Sequence, residues 1–243
     1  MINILLKIIF FLSCAINLQS TFASEVKYAV VYNGKAACDG CAQSAARIAK
    51  KLGLKIKYVK QGEISVKILT GAAVYIQPGG PDDLIMDQSF SESDVRHIRD
   101  YVFKGGRYWG ICAGGYLAAE TLVEPNKRET KALGLIPGIV YDYSEDKTAR
   151  MELVTWNGQN RWLYFQDAPA FKVKKEDEEL IIPLARYQDG VLAAFTTHFG
   201  LGKVLVAGPH TEATQDWYDE DHLVDPDGID NDLAILALRN LLK

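Results

Sequence analysis

Along the first half of the chain, strand-like apolar segments trade places with segments whose apolar residues recur every three or four positions. Val26 to Tyr32 has the β-branched and aromatic content of a strand and ends at Asn33-Gly34. In Ala42 to Leu52 the residues Ala45, Ile48, Ala49 and Leu52 share one helical face, and Gly53 closes it. Leu54 to Val59 is a second strand, followed by a short helical piece around Ser65–Leu69. Ala72-Ala73-Val74-Tyr75-Ile76 is continuously apolar, which fits a strand covered on both faces. Ser91 opens a helix with the stripe Val95, Ile98, Val102, and Gly105-Gly106 ends it before a strand over Tyr108 to Cys112. Tyr116 to Glu120 reads as the first turns of the next helix. Such β-α alternation predicts an α/β fold with a mostly parallel, doubly wound sheet. Ligands in such sheets sit beyond the carboxyl ends of the strands.

The pattern then changes. From Thr121 to Arg150 it weakens, broken by Gly134, Pro137 and Gly138, and predicts an irregular insertion or lid. The second half is β-rich, with strands over Met151–Thr155, Trp162–Phe165, Leu180–Tyr187, Val191–Thr197 and Lys203–Ala207. Asp189-Gly190 and Gly200-Leu201-Gly202 supply hairpin turns. Asp232 to Leu242 closes the chain as an amphipathic helix.

A length of 243 residues with 48% hydrophobic content supports a sizeable core, read as one domain over residues 24–243. The net charge of -4, with no basic tract, argues against nucleic-acid binding. Residues 1–23 have the form of a secretory signal peptide, with Lys7 in a short leading region, an apolar run, and Ala23 before Ser24. That run is too short for a stable membrane span. An exported protein, periplasmic or secreted, is expected; the alternative is a lipoprotein acylated at Cys14. Without Cys14, three cysteines remain. An oxidising compartment favours a Cys38–Cys41 pair and a free Cys112. The alternatives for Cys38 and Cys41 are inert thiols, a redox pair exchanging with Cys112, or half of a metal site, although no further metal ligands are evident.

The candidate chemistry centres on Gly110-Ile111-Cys112-Ala113-Gly114-Gly115. Strand, sharp turn, then helix is the layout of a nucleophile elbow, G-x-C-x-G, which exposes the sulfur beside a helix N-terminus. A cysteine nucleophile needs a base and a group that orients it. Of the four histidines, His97 sits among charges mid-helix, as a solvated surface residue does. His198 precedes a hairpin turn, and His222 lies in an acidic loop. His210 follows a strand's carboxyl end, with Glu212 two residues on, so both side chains can point the same way. The backbone N–H of Ala113, and one from Gly79 or Gly80, are candidate oxyanion donors.

The set Pro78-Gly79-Gly80, Gly110-Ile111-Cys112-Ala113-Gly114 and His210-Thr211-Glu212 resembles the class I glutamine amidotransferase-like superfamily. Within it, the Gly-Ile-Cys-Ala-Gly-Gly-Tyr run and the Gly-Pro-His-Thr-Glu ending look most like the N-terminal domain family of biotin–protein ligases. The resemblance covers about Lys27 to Lys243. It implies a flavodoxin-like sheet and a triad of Cys112 as nucleophile, His210 as base and Glu212 as orienter, with Gly80 and Ala113 as oxyanion donors. Thr211 stands where the amidotransferases usually have Pro. No synthase partner and no cofactor is identifiable. The expected partner is a small-molecule or peptide substrate.

The leading expectation is therefore a cysteine-dependent hydrolase or amidase working through an acyl-enzyme. The alternative is a non-catalytic protein holding a small ligand against Trp156, Trp162, Tyr164 and Trp217. The acidic stretch from Asp219 to Asp232 does not match an EF-hand. It reads as a solvated loop in which Asp230 or Asn231 caps the last helix.

Overall fold

The computed structural model describes residues 27–81, 84–123 and 128–243. The expected signal peptide over residues 1–23, and Cys14 within it, lie outside the described residues. The first half is β1 (Tyr28–Tyr32), α1 (Cys41–Lys51), β2 (Lys55–Val59), α2 (Val66–Leu69), β3 (Ala72–Gln77), α3 (Met86–Ser89), α4 (Glu92–Phe103), β4 (Arg107–Ile111) and α5 (Ala113–Ala118). Then come β5 (Thr121–Val123), β6 (Glu129–Lys131), β7 (Ile139–Asp142), β8 (Arg150–Trp156), β9 (Gln159–Phe165), β10 (Pro169–Lys172), a 3-10 turn, β11 (Ile181–Tyr187), β12 (Leu192–Phe199) and β13 (Gly202–Ala207). The chain closes with α6 (Gln215–Glu220) and α7 (Asn231–Leu241).

The main sheet runs β2-β1-β3-β4-β13-β12-β11-β8-β9. Its first five strands are mutually parallel. From β13 onward the pairings are antiparallel. The parallel part is the doubly wound unit expected from the alternation, and the hairpin-rich strands extend its edge rather than forming a separate layer.

Both faces of the parallel part are covered. Ala29 and Val31 of β1, with Trp109 of β4, pack under α1 and α7. Val30 and Tyr32, with Tyr108, pack under α2, α4 and α5 on the opposite face. Side chains alternate between faces along a strand, so a doubly covered strand must be apolar at every position. The edge strand β2 is the exception, and its exposed lysines suit an unpaired edge. Helix α4 begins with a capping box, Ser91 accepting from the Asp94 amide and Asp94 from that of Ser91. Among the described residues, no helix is long and apolar enough to cross a membrane.

Several local expectations are corrected. The helix after Cys112 starts at Ala113, not Tyr116. The stretch from Thr121 to Arg150 is not wholly irregular. It contains the β5–β6 pair, and β7 pairs with β10. His97 is half-buried, its Nδ1 2.7 Å from the Ile64 carbonyl oxygen, because the loop before α2 folds against α4. The acidic stretch is largely exposed, as expected, but its C-terminal part is organised by one cation. Arg161 reaches Asp230 at 2.6 Å, Asp232 at 3.0 Å and Asp227 at 3.5 Å. Asp230 is buried, which lifts its carboxyl; Arg161 opposes this, neighbouring carboxylates add to it, and the pKa ends at about 8. Neither Asp230 nor Asn231 caps α7 through its side chain.

Candidate active site

β4 and β13 are adjacent and parallel, with Ile111 level with Ala207. The chain leaves both strands at the same sheet edge, so Cys112 and the segment beginning at Gly208 emerge side by side. The Cys112 amide donates to the Ala207 carbonyl at 2.8 Å, fixing the turn to the neighbouring strand. Cys112 adopts φ 49 and ψ -108, a region that non-glycine residues rarely occupy. The flanking glycines make this turn possible. A Cβ at Gly110 would strike the Gly114 carbonyl oxygen, and one at Gly114 would strike that of Gln77. Helix α5 thus lies against β3 and β4 at a distance only glycine permits.

His210 is held from three sides. Its amide donates to the Tyr164 carbonyl at 2.9 Å, so β9 returns to the site. Its ring meets Trp217 and Tyr164 edge-on, with centroids 5.2 and 5.8 Å away. Its Nδ1 is 2.8 Å from Glu212 Oε1. Glu212 is fully buried, and its other oxygen has no protein partner among the described residues. A buried carboxylate on Nδ1 places the proton there and leaves Nε2 for Cys112. Burial alone pushes the imidazolium pKa down. The Glu212 carboxylate and the facing Cys112 sulfur outweigh it, and the His210 pKa rises to about 10.

The segment carrying His210 and Glu212 is clamped from behind by residues the sequence reading missed. Asn231, at the start of α7, donates to the carbonyls of Thr211 and Ala213 at 3.1 and 3.0 Å. Arg47 of α1 donates to the Glu212 carbonyl at 3.2 Å and to Asn231 at 3.3 Å. Nothing in the local pattern marks either residue for this clamp, because their partners lie far away in the chain.

The third loop, Pro78-Gly79-Gly80, joins the same edge. At Gly80 a Cβ would lie 2.9 Å from that of Ala113 and 2.8 Å from the Ala36 carbonyl oxygen. Gly80 and Ala113 are therefore neighbours. As the first residue of α5, Ala113 has an N–H with no carbonyl a full turn before it. Cys38 and Cys41 are joined by a disulfide beside this loop, and Cys112 is a free, buried thiol.

These groups line a cavity of about 850 Å³. Its far side is polar. Tyr116 donates to Asp142 at 2.7 Å, and Lys147 bridges Asp142 at 3.6 Å and Asp167 at 3.0 Å. The carbonyl oxygens of Gln166 and Asp167 stand 3.8 and 3.9 Å from the Cys112 sulfur. The residues expected as aromatic walls divide. Trp217 lines the cavity, and Tyr164 supports His210 from outside it. Trp156 belongs to the core between β8 and β11, and Trp162 is not at the cavity. Their strand positions turn them to other faces. His198 and His222 are exposed and do not line it. Among the described residues, no group of three or more His, Cys, Asp or Glu side chains is arranged to hold a metal ion.

A sequence profile described as "Biotin-protein ligase, N terminal" matches residues 28–237. The chain belongs to this family. A biotin–protein ligase from Schizosaccharomyces pombe is 31% identical over 163 residues, which is 58% of this chain. The chain spans only 25% of that relative's length. Among solved structures, PurLQS from Thermotoga maritima aligns over 89% of this chain and 99% of its own, with TM-score 0.60 and 17% identity. A cytoplasmic protein from Salmonella typhimurium LT2 aligns over 88% of this chain and 100% of its own, with TM-score 0.59 and 13% identity. At such identities these likenesses establish the fold, which is glutamine amidotransferase-like. The family profile spans all three loops of the cavity's near wall, from the Cys38 turn to Glu212.

Proposed function

We propose that this member of the biotin-protein ligase N-terminal family is a cysteine-dependent acyl-transfer hydrolase, an amidase or a thiol esterase-like enzyme, with Cys112 on a nucleophile elbow. One observation carries the reading: a buried His210–Glu212 pair faces a free cysteine held in a strained strand-to-helix turn. In the reaction, the Cys112 thiolate attacks the substrate carbonyl carbon, and a C–S bond forms. The carbonyl π electrons move to oxygen, where the N–H groups of Gly80 and Ala113 would meet the developing charge. His210 gives its Nε2 proton to the leaving group as the tetrahedral species collapses to a thioester. Water then attacks the thioester with His210 as base, releasing the acid and restoring the thiolate. Glu212 keeps Nδ1 protonated and stabilises the imidazolium throughout.

The ligase activity named for the yeast relative is not carried over, because the matched segment is a quarter of that protein. Export is part of the proposal. Its support is the apolar N-terminal stretch together with the Cys38–Cys41 disulfide, which suits an oxidising compartment. Recovery of an unprocessed N-terminus from the cytoplasm would overturn it.

The test is Cys112 reactivity at neutral pH, read by peptide mass spectrometry. Alkylation by iodoacetamide should outpace free cysteine by at least tenfold and fall by a similar factor in His210→Ala. Activated esters should acylate Cys112 and turn over. A thiol that reacts no faster than free cysteine and is indifferent to His210 would instead favour the non-catalytic ligand-binding reading, with Trp217 as the remaining aromatic wall.

A further inference from the structure

The Cys38–Cys41 disulfide stands against the peptide that must supply one oxyanion donor. The Cys38 amide donates to the Gly79 carbonyl at 3.0 Å. A Cβ at Gly79 would lie 3.3 Å from the Cys41 sulfur, 3.5 Å from that of Cys38 and 2.7 Å from His210 Cε1. Gly79 is thus gripped between both sulfurs and the histidine ring, with no room for a side chain. In a trans peptide the C=O and the next N–H point in opposite directions. With the Gly79 carbonyl turned to the Cys38 amide, the Gly80 N–H is turned away from that amide, and Gly80 itself borders Ala113. The other end of the same loop has its own brace. Gln77 Nε2 donates to the Ala36 carbonyl at 3.2 Å, and Tyr75 donates to Gln77 at 2.9 Å. The disulfide stands at the Gly79 end of the loop, locking the turn whose Cys38 amide holds the Gly79 carbonyl.

We propose that the Cys38–Cys41 disulfide is a positioning device for the oxyanion hole: it sets the Gly79–Gly80 peptide so that the Gly80 N–H reaches the reacting oxygen, and its reduction disarms acyl transfer while leaving the Cys112–His210–Glu212 set in place. The inference rests on the acyl-transfer reading given above. Reduction by a dithiol is chemically simple. A reductant thiolate attacks the Cys38 sulfur, and Cys41 leaves as a thiolate. The reductant's second thiol then displaces Cys38, so the reductant becomes a disulfide and the protein gains two electrons and two protons. Both cysteines line the cavity, and Cys38 is partly exposed, so a small dithiol has a path to the bond from the Cys38 side.

The experiment compares two electrophiles at Cys112. Iodoacetamide is attacked at a saturated carbon and makes no oxyanion. 4-Nitrophenyl acetate acylates through a tetrahedral oxyanion and releases 4-nitrophenolate. Rate constants are read by mass spectrometry of the Cys112 peptide, in the oxidised protein and in Cys38→Ser/Cys41→Ser. Acylation should fall about 10²-fold in the variant, the cost of losing one oxyanion donor, with alkylation changed by less than twofold. Wild-type protein reduced with a dithiol and then desalted should behave as the variant does, and reoxidation should restore it. This arm stands even if the double variant fails to fold. An unchanged acylation-to-alkylation ratio, whether both rates hold or both fall together, overturns the proposal. If the oxidised wild type alkylates but never acylates, the acyl-transfer reading itself fails, and the disulfide proposal falls with it.

Discussion

On one wall of the cavity the His210 and Glu212 side chains are 5% and 0% exposed; on the other, those of Lys147 and Asp142 are 48% and 53% exposed. The first wall stands at the carboxyl ends of parallel strands whose faces are both covered. Each of its groups is fixed by several partners: Cys112 by β13, His210 by Tyr164 and Trp217, and the Glu212 segment by Asn231 and Arg47. The second wall comes from α5, β7, the loop between β7 and β8 and the turn after β9, joined by ion pairs in partial contact with water. Exposed pairs contribute about 0–1 kcal/mol, whereas unpairing a buried group costs about 1–3 kcal/mol or more. The contrast separates a buried, preorganised wall from a more exposed one that can vary without endangering the fold. Under the proposed acyl-transfer function, the near wall would set the reaction and the far wall would select the acyl donor.

The sharpest way to break the contrast is Cys112→Ala. Acylation by an activated ester should fall roughly 10³-fold or more, while thermal denaturation shifts little. Residual turnover close to wild type would remove the near wall from the chemistry.

Glu212→Gln comes next. The His210 pKa, followed by NMR, should drop well below about 10, because the leading attraction that raises it is lost. Acylation should fall by roughly 10²–10⁴-fold. Stability follows with a definite sign. A raised folded-state pKa stabilises fully below the unfolded value near ~6.5. That contribution fades as pH climbs toward about 10. The wild type's advantage over Glu212→Gln in thermal denaturation should therefore be larger at pH 6 than at pH 10. An advantage that grows with pH would contradict the pairing.

Asn231→Ala tests whether clamping from behind is real. It leaves two buried carbonyls without their donor. Urea unfolding should show a loss of about 1–3 kcal/mol, and ester acylation should slow about tenfold. A neutral result would mean that Arg47 alone holds the segment.

Lys147→Met should have the smallest effect on the fold, within about 0.5 kcal/mol by urea unfolding. Its signature is in selectivity: KM for acyl donors carrying a carboxylate should rise several-fold relative to neutral donors, with kcat nearly constant. A loss above about 2 kcal/mol would show that the far wall is structural and would erase the distinction between the walls.

Much of the near wall can be read along the chain because its cause is local. Val74, Tyr75 and Ile76 are apolar together because one strand is buried on two faces. Gly110 and Gly114 flank Cys112 because the turn leaves no room for a Cβ. His210 and Glu212 are two residues apart, and although Thr211 and Glu212 form a turn rather than a strand, that short spacing keeps their side chains within reach of each other. The amphipathic helices α1 and α4 are equally legible.

What stayed hidden depends on residues distant in sequence meeting in space. Tyr116, Asp142, Lys147 and Asp167 share no period and come from separate elements; only the pairing of β7 with β10 gathers them. Asn231 has the look of a helix cap, and only the packing of α1 against α7 turns it toward Thr211 and Ala213. Trp156 and Trp162 read as pocket walls, yet their places on β8 and β9 send them elsewhere, and a bridge joins Tyr164 to His210. Arg161 gathers the acidic loop for the same reason, across a gap of some seventy residues to Asp232. Burial periodicity and steric exclusion act between near neighbours and leave their mark in the order of residues. Ion pairs, clamps and cavity walls arise from the register in which finished elements pack, and that register is written in no single stretch of the chain.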